Sequence, residues 1–464
     1  MLRGLLVAAF TGGFAMAAQA QTPSQAEREL AREIYAHIVG LDTSVEGRQN
    51  PAAQQYLAQR FRAAGFPDED IHLITAGETA GLLVRYRGDG TGGRPILMLA
   101  HMDVVPAHRS DWERDPFTLT EENGFFYGRG AFDNKTGVAM LATTFETLRR
   151  EGFTPTRDLI VWFSGDEETT GHTTQALLRD HRALLGGAEF ALNSDAGQGT
   201  LNATGAPTAY YMQTAEKTYA SFTLTVRNPG GHSSVPRADN AIYELSEALL
   251  RVRNHQFPVM WNDTTIASFR AAADITPGLE GQALRRFAQR PGDRRAAATM
   301  SRNPSLATLL RTTCVATLLS AGHADNALPQ SATGTVNCRI FPGVAIETVQ
   351  AELQRLAGAS VEIALISEPN WSDASPLRED VVNAITLAVH AHRPGVPIVP
   401  AMSAGATDGL FFRAAGIPTY GAGEIFIRDE DDFAHGLDER VPVDGFYNGL
   451  THWRVLINEL AGPR

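Results

Sequence analysis

The stretch Ile96-Leu97-Met98-Leu99-Ala100-His101-Met102-Asp103 sets the reading of the whole chain. Its apolar run is too short for a buried helix. It fits a strand covered on both faces, the kind found in sheets with helices on either side. The run stops abruptly at His101, and Asp103 follows two positions on. In extended backbone those two side chains face the same way. A carboxylate beside an imidazole fixes the ring tautomer and strengthens a histidine that binds metal. Taken alone, His-x-Asp equally describes a structural histidine capped by an aspartate.

Two further apolar runs end the same way. Leu159–Gly165 runs into Asp166-Glu167-Glu168, and Glu189–Ser194 runs into Asp195. Asn134–Arg150, between the first two, has helical spacing. Strands alternating with helices predict an α/β layer fold, with ligand sites at the carboxyl ends of the strands. Consecutive acids repel one another unless a cation is present, although a solvated loop tolerates them. Adjacent residues point in different directions, so one glutamate could bind metal while its neighbour reaches a water. Asp133 sits in the glycine-flanked turn Gly128–Gly137, which opens a helix. An N-cap is the ordinary role there, but the two oxygens of a carboxylate can also bridge two cations. His435 follows the acidic run Asp429–Asp432 and by itself reads as a surface histidine of a charged loop.

The ends and the middle of the chain carry other signals. Arg3, the apolar Leu5–Met16 and the small residues Ala18-Gln19-Ala20 predict a secretory signal over residues 1–20,. Cleavage near Ala20 would make the protein secreted, or periplasmic in a Gram-negative source; a retained anchor is the alternative. A net charge of -12 without any basic stripe argues against nucleic acid or an anionic membrane as partner,. A chain of 464 residues exceeds what one core holds,. We read residues 21–215 and 368–464 as two parts of a catalytic domain, with 216–367 inserted between them. The catalytic part should be three-layered, a mixed sheet flanked by helices. The insert alternates like half-buried strands at Ser221–Arg227, Val336–Ile340 and Val361–Ile366, with helices at Ala241–Val252 and Ile346–Leu356. That pattern predicts an inserted α+β lid with an antiparallel sheet. An Arg- and Ala-rich stretch, Phe257–Pro304, reads as extra helices. Cys314 and Cys338, the two cysteines, lie in strand-like segments and predict a cross-strand disulfide in an oxidising compartment,. Two buried free thiols are the alternative.

In order, His-x-Asp at 101 and 103, Gly-Arg-Gly-x-x-Asp ending at 133, Asp-Glu-Glu at 166–168, Asp195 and His435 resemble one metallopeptidase family. It includes aminoacylase-1, carboxypeptidase G, acetylornithine deacetylase and succinyl-diaminopimelate desuccinylase. The segment Ala215–Ser234 is most similar to its carboxypeptidase S-like branch. The resemblance spans essentially the whole mature chain. It implies two zinc ions per subunit, with Mn²⁺ or Co²⁺ also compatible with nitrogen and oxygen ligands. His101, Asp133 and Asp195 would hold one ion, and Asp133, Glu168 and His435 the other. Glu167 would be the general base towards a metal-bridging hydroxide, with Asp103 behind His101. A cis peptide after Asp133 is implied as well. In the insert, His232 of Gly-Gly-His-Ser-Ser would stabilise the oxyanion, arriving from a partner subunit in dimeric relatives. Arg339 and Asn326 would hold the substrate carboxylate, and Gly405 would let the backbone approach it. Asp408, nearby, reads as structural.

The resemblance implies an amidohydrolase acting beside a free carboxylate, as a carboxypeptidase or dipeptidase on small peptides. An N-acyl-amino-acid amidohydrolase would use the same machinery with another acyl pocket. A binding protein that has lost catalysis is a third reading, set against a site in which no ligand position is substituted. A homodimer through the insert is compatible with the resemblance; the added helices could equally cover that edge.

Overall fold

All six residues of the strand Ile96–His101 are buried, and its place in the sheet explains the uninterrupted apolar run. The computed structural model describes residues 22–366 and 371–463. The segment read as a signal, and residue 367 where the insert was expected to end, lie outside the described residues. Ile96–His101 pairs in parallel with Leu159–Ser164 on one side and Phe190–Asn193 on the other. Thr419–Gly421 extends the sheet in parallel, while Thr79–Tyr86 and Ile71–Ala76 add antiparallel strands. The order is Ile71–Ala76, Thr79–Tyr86, Leu159–Ser164, Ile96–His101, Phe190–Asn193, Thr419–Gly421.

Alternate residues of these strands feed two separate cores, as strand geometry requires. Val84, Met98, Val161 and Phe163 face the helices Gln25–Val39, Asn50–Ala63, Lys135–Arg150 and Val443–Ala461. Leu83, Leu97, Leu99, Ile160 and Trp162 face His172–Asp180 and Gly409–Ala414. The result is the three-layered mixed α/β architecture expected from the sequence.

A second sheet is antiparallel throughout, in the order Thr313–Ala321, Ser331–Ile340, Thr218–Arg227, Glu362–Leu365. One of its faces buries Phe222, Leu224, Val336 and Ile340 under the helices Ala241–Asn254 and Ile346–Ala357. Cys314 stands directly opposite Cys338 in this register, and the two are disulfide-bonded. The stretch from 257 folds into the helices Asp263–Ile275, Gly278–Gln289 and Arg294–Met300, with another at Pro304–Leu309. They share a core around Phe269, Phe287 and Met300 and pack on the strand Ile398–Ser403. The edge strand Thr313–Ala321 leaves Val315, Leu318 and Leu319 exposed.

Two smaller sheets were not anticipated. Pro207–Glu216 pairs with Ile398–Ser403 and Gln198–Leu201, and the chain passes from it to the second sheet at Lys217. Thr120–Glu122, Phe125–Tyr127 and Arg440–Pro442 form a ribbon that lays the chain after His435 beside the turn leading to Asp133. No helix among the described residues is long and apolar enough to cross a membrane.

Candidate metal centre

Three neighbouring parallel strands end level with one another, so His101, Glu167, Glu168 and Asp195 reach the same place by register alone. Asp133 arrives from the turn before the helix Lys135–Arg150, and His435 from the loop before Arg440–Pro442. His101 Nε2 lies 2.8 Å from Asp133 Oδ1 and 3.5 Å from Asp195 Oδ1. His435 Nε2 lies 3.2 Å from Asp133 Oδ2 and 2.9 Å from Glu168 Oε1. The two oxygens of Asp133 therefore face two different imidazoles. The peptide between Asp133 and Asn134 is cis. Gly137, in the first turn of the helix, allows this approach: a Cβ there would meet Ser194 Oγ at 2.2 Å. Ser194 Oγ instead donates to Asn134 Oδ1 at 2.9 Å and ties the turn to the strand carrying Asp195.

Two sets of side chains have ligand atoms close enough to share an ion: His101 with Glu167 and Asp195, and His101 with Asp133 and Glu168. The first places Glu167 among groups able to bind metal, beyond the role of base that the family pattern implies for it.

The electrostatics mark a site short of positive charge. Burial, with Asp195, Asp408 and Asp133 nearby, pushes the Glu167 carboxyl well above the ordinary glutamate range, against the pull of His101. Burial raises Asp195 to about 7, with Asp133 and Glu168 adding to it. Burial would raise Asp133 too, but His101 and His435 hold it below the usual range. Hydrogen bonds to Asp133 and Glu168 lift His435 to about 10. Two imidazoles thus face four carboxylates, a donor set whose surplus acid suits a pair of dications. Nitrogen and oxygen donors without thiolate fit zinc, manganese or cobalt.

The surrounding groups differ in part from the sequence reading. His101 Nδ1 meets the backbone oxygen of Asp103 at 3.0 Å, while the Asp103 carboxylate stands 3.6 Å away. That carboxylate instead accepts the backbone N–H groups of Glu167 and Glu168, at 3.1 and 2.9 Å. Asp103 leaves the strand after His101, so the same-face rule for extended backbone no longer governs it. Asp408 is buried, raised to about 6 chiefly by that burial, and is one of the charges pushing Glu167 upward.

Arg339 Nη1 donates to Ala404 O at 2.7 Å, next to Gly405, and its guanidinium lies 4.7 Å from the Tyr219 ring centroid. His232 and Asn326 meet in a two-stranded ribbon, where Ser233 N donates to Asn326 O at 3.1 Å. His232 is exposed, and its Nδ1 contacts Ser234 Oγ at 2.8 Å. Among the described residues, no hydrogen bond or ion pair joins this ribbon to the histidine–carboxylate cluster.

A mixed sheet ending in clustered histidines and carboxylates, with a second antiparallel sheet beside it, defines a metallopeptidase-type hydrolase. Residues 97–459 match Peptidase family M20/M25/M40, and the chain belongs to that family. It is 29% identical over 388 residues to the human "N-fatty-acyl-amino acid synthase/hydrolase PM20D1", covering 78% of this chain and 74% of the relative. It is 26% identical over 389 residues to the Dictyostelium discoideum "Probable carboxypeptidase S-like 2", covering 81% and 73%. Among solved structures, an M20 family metallo-carboxypeptidase from Sulfolobus solfataricus has the same fold, with a TM-score of 0.70. Its sequence is 18% identical, with 93% of this chain and 99% of that one covered.

Proposed function

We propose that the protein is a two-metal hydrolase cutting an amide bond next to a free carboxylate, with small peptides as substrates and zinc as the metal. The observation that carries this reading is Asp133, whose two oxygens face His101 and His435 separately, 2.8 and 3.2 Å away. His101, Asp133 and Asp195 would hold one ion, and Asp133, Glu168 and His435 the second. Bound cations supply Lewis acidity and water activation at neutral pH.

The chain's own groups do the rest. The Glu167 carboxylate takes the proton of the attacking water and returns it to the leaving amine. The Asp103 carboxylate fixes the glutamate loop through two backbone N–H groups. The planar fork of Arg339 grips the substrate carboxylate through paired hydrogen bonds, near the Gly405 backbone, and Asn326, on the ribbon of His232, is a further donor to it. His232, exposed here, would reach the developing oxyanion from a second copy, a donor worth about 2.7–4 kcal/mol. The uncovered edge strand Thr313–Ala321 supports such a homodimer. The disulfide and the residue 1–20 signal pattern support a secreted or periplasmic location,.

The names of the 28–29% identical relatives favour N-acyl amino acids as a second substrate class. A panel of dipeptides, N-acyl amino acids and their C-terminal amides, with and without chelator, tests both readings. Cleavage should need metal and should be poor on amides. Arg339→Ala should raise KM for the acids about 10- to 150-fold, the loss of a charged hydrogen-bond pair, and leave the poor amide reaction unchanged. Equal cleavage of acids and amides would refute the assignment of Arg339.

A further inference from the structure

We propose that Arg129 and Glu439 form a positioning pair that sets the distance between Asp133 and His435, and so the affinity for the cation held between them. Arg129 lies in the Gly-Arg-Gly-x-x-Asp motif without a role assigned to it there, and Glu439 lies outside the motif set. Their side chains are 4% and 0% exposed and bond at 2.6 Å. Glu439 reaches one way. Its Oε1 accepts Phe132 N at 2.7 Å and Asp133 N at 2.9 Å, and its Oε2 accepts Gly130 N at 3.3 Å. Arg129 reaches the other way, donating from Nη2 to His435 O at 3.3 Å and Gly436 O at 3.2 Å. One ion pair thus grips the backbone of two ligand residues about 300 positions apart.

The grip is directional. His435 has φ 62, a left-handed conformation that non-glycine residues rarely adopt,. The bonds from Arg129 act on this turn. The Arg129 guanidinium also lies 5.0 Å from the Trp112 ring centroid, which fixes the plane of its fork. A lysine ammonium carries the same charge but cannot serve Glu439 and two carbonyls from one fixed plane. The strand-end ligands His101 and Asp195 do not depend on the pair, because sheet register places them. Because His435 would hold only one of the two ions, whereas Asp133 would serve both, the pair weighs mainly on the cation that His435 shares.

The inference rests on the two-metal reading, and the experiment separates the two. Chelator-stripped full-length wild type, Arg129→Lys and Glu439→Gln are titrated with Zn²⁺ by calorimetry, and thermal melts are taken without metal. Wild type should bind two equivalents. Each variant should keep one binding event and weaken the other about 10- to 100-fold, the usual cost of losing an outer partner of a metal ligand. Arg413→Lys is the control. Arg413 pairs with Glu216 in an equally buried site that touches neither the Asp133 nor the His435 turn and reaches only the Asp195 backbone, through Thr407 and Asn193. It should lower the melting temperature without selective metal loss. Two intact events in both variants, or the same selective loss in Arg413→Lys, would overturn the clamp. Failure of wild type to bind two equivalents would overturn the two-metal reading instead.

Discussion

Replacing Glu167 with glutamine is the sharpest test of the chemistry, because it removes a proton acceptor and little else. The substituted side chain has the same length. The loop that carries it is held by main-chain bonds, Glu167 N to Asp103 Oδ1 at 3.1 Å and Glu168 N to Asp103 Oδ2 at 2.9 Å. Those bonds survive the change, so the cost should fall on proton transfer alone. General acid–base catalysis by one positioned side chain contributes about 10²–10⁴-fold, or about 2.7–5.5 kcal/mol on the barrier. The assay measures kcat and KM on the best substrate, with metal content by mass spectrometry on the same sample. The expected result is a kcat lowered about 10²–10⁴-fold, a KM within a few-fold of wild type, and both metals retained. A kcat within tenfold of wild type would refute the base. Loss of one metal would refute it differently, since His101, Glu167 and Asp195 are together close enough to share an ion; Glu167 would then be a ligand.

Zinc binding should release protons and tighten as pH rises. In the metal-free protein His435 keeps its proton up to about pH 10 and Asp195 to about 7, and zinc must displace both. Affinity should therefore climb from pH 6 towards 9, and calorimetry in buffers of different ionisation enthalpy should show more than one proton released at pH 7; a pH-independent affinity would contradict these environments. Removing the disulfide by Cys314→Ser with Cys338→Ser should lower stability by about 3.5 kcal/mol, the loop entropy of a 24-residue separation,. Denaturant unfolding measures this; a loss under about 1 kcal/mol would show that the bridge constrains the unfolded chain little.

The sheet and half of the cluster were legible because the same residues encode both. A strand buried on two faces must be apolar until it leaves the layers, so His101, the Glu167–Glu168 pair and Asp195 announce themselves as the places where three runs break. The helices Lys135–Arg150 and Ile346–Ala357 fall within a residue of their expected bounds, because each keeps its helical spacing up to a clear stop. The strand Pro207–Glu216 was missed: it pairs with Ile398–Ser403, nearly two hundred residues away, and no local pattern encodes that partner. Asp103 does stand beside His101, its carboxylate 3.6 Å from Nδ1, but its two bonds to the glutamate loop had no sequence signal. The pairing of Glu439 with Arg129 was illegible for another reason. In sequence one lies in an acidic, exposed-looking loop and the other in a glycine-rich turn, and only pairing removes both from water. A charge followed by polar neighbours gives no sign of burial.

The proposed ligand set therefore rests on two kinds of support with different failure modes. Register fixes His101, Glu168 and Asp195 through a sheet whose two apolar cores would have to come apart before those strand ends separated. Asp133 and His435 sit on turns, and their shared support is one ion pair with full burial on both sides. Breaking such a pair by truncating one partner typically costs about 3–5 kcal/mol, because a charge is left buried and unpaired. Repacking an apolar strand by one methylene costs about 0.5–1.5 kcal/mol and moves nothing at its end. Substitutions scattered through the core should thus lower stability while leaving metal binding intact. Those few that reach Arg129, Glu439 or the Trp112 ring beneath them should loosen the cation between Asp133 and His435 first.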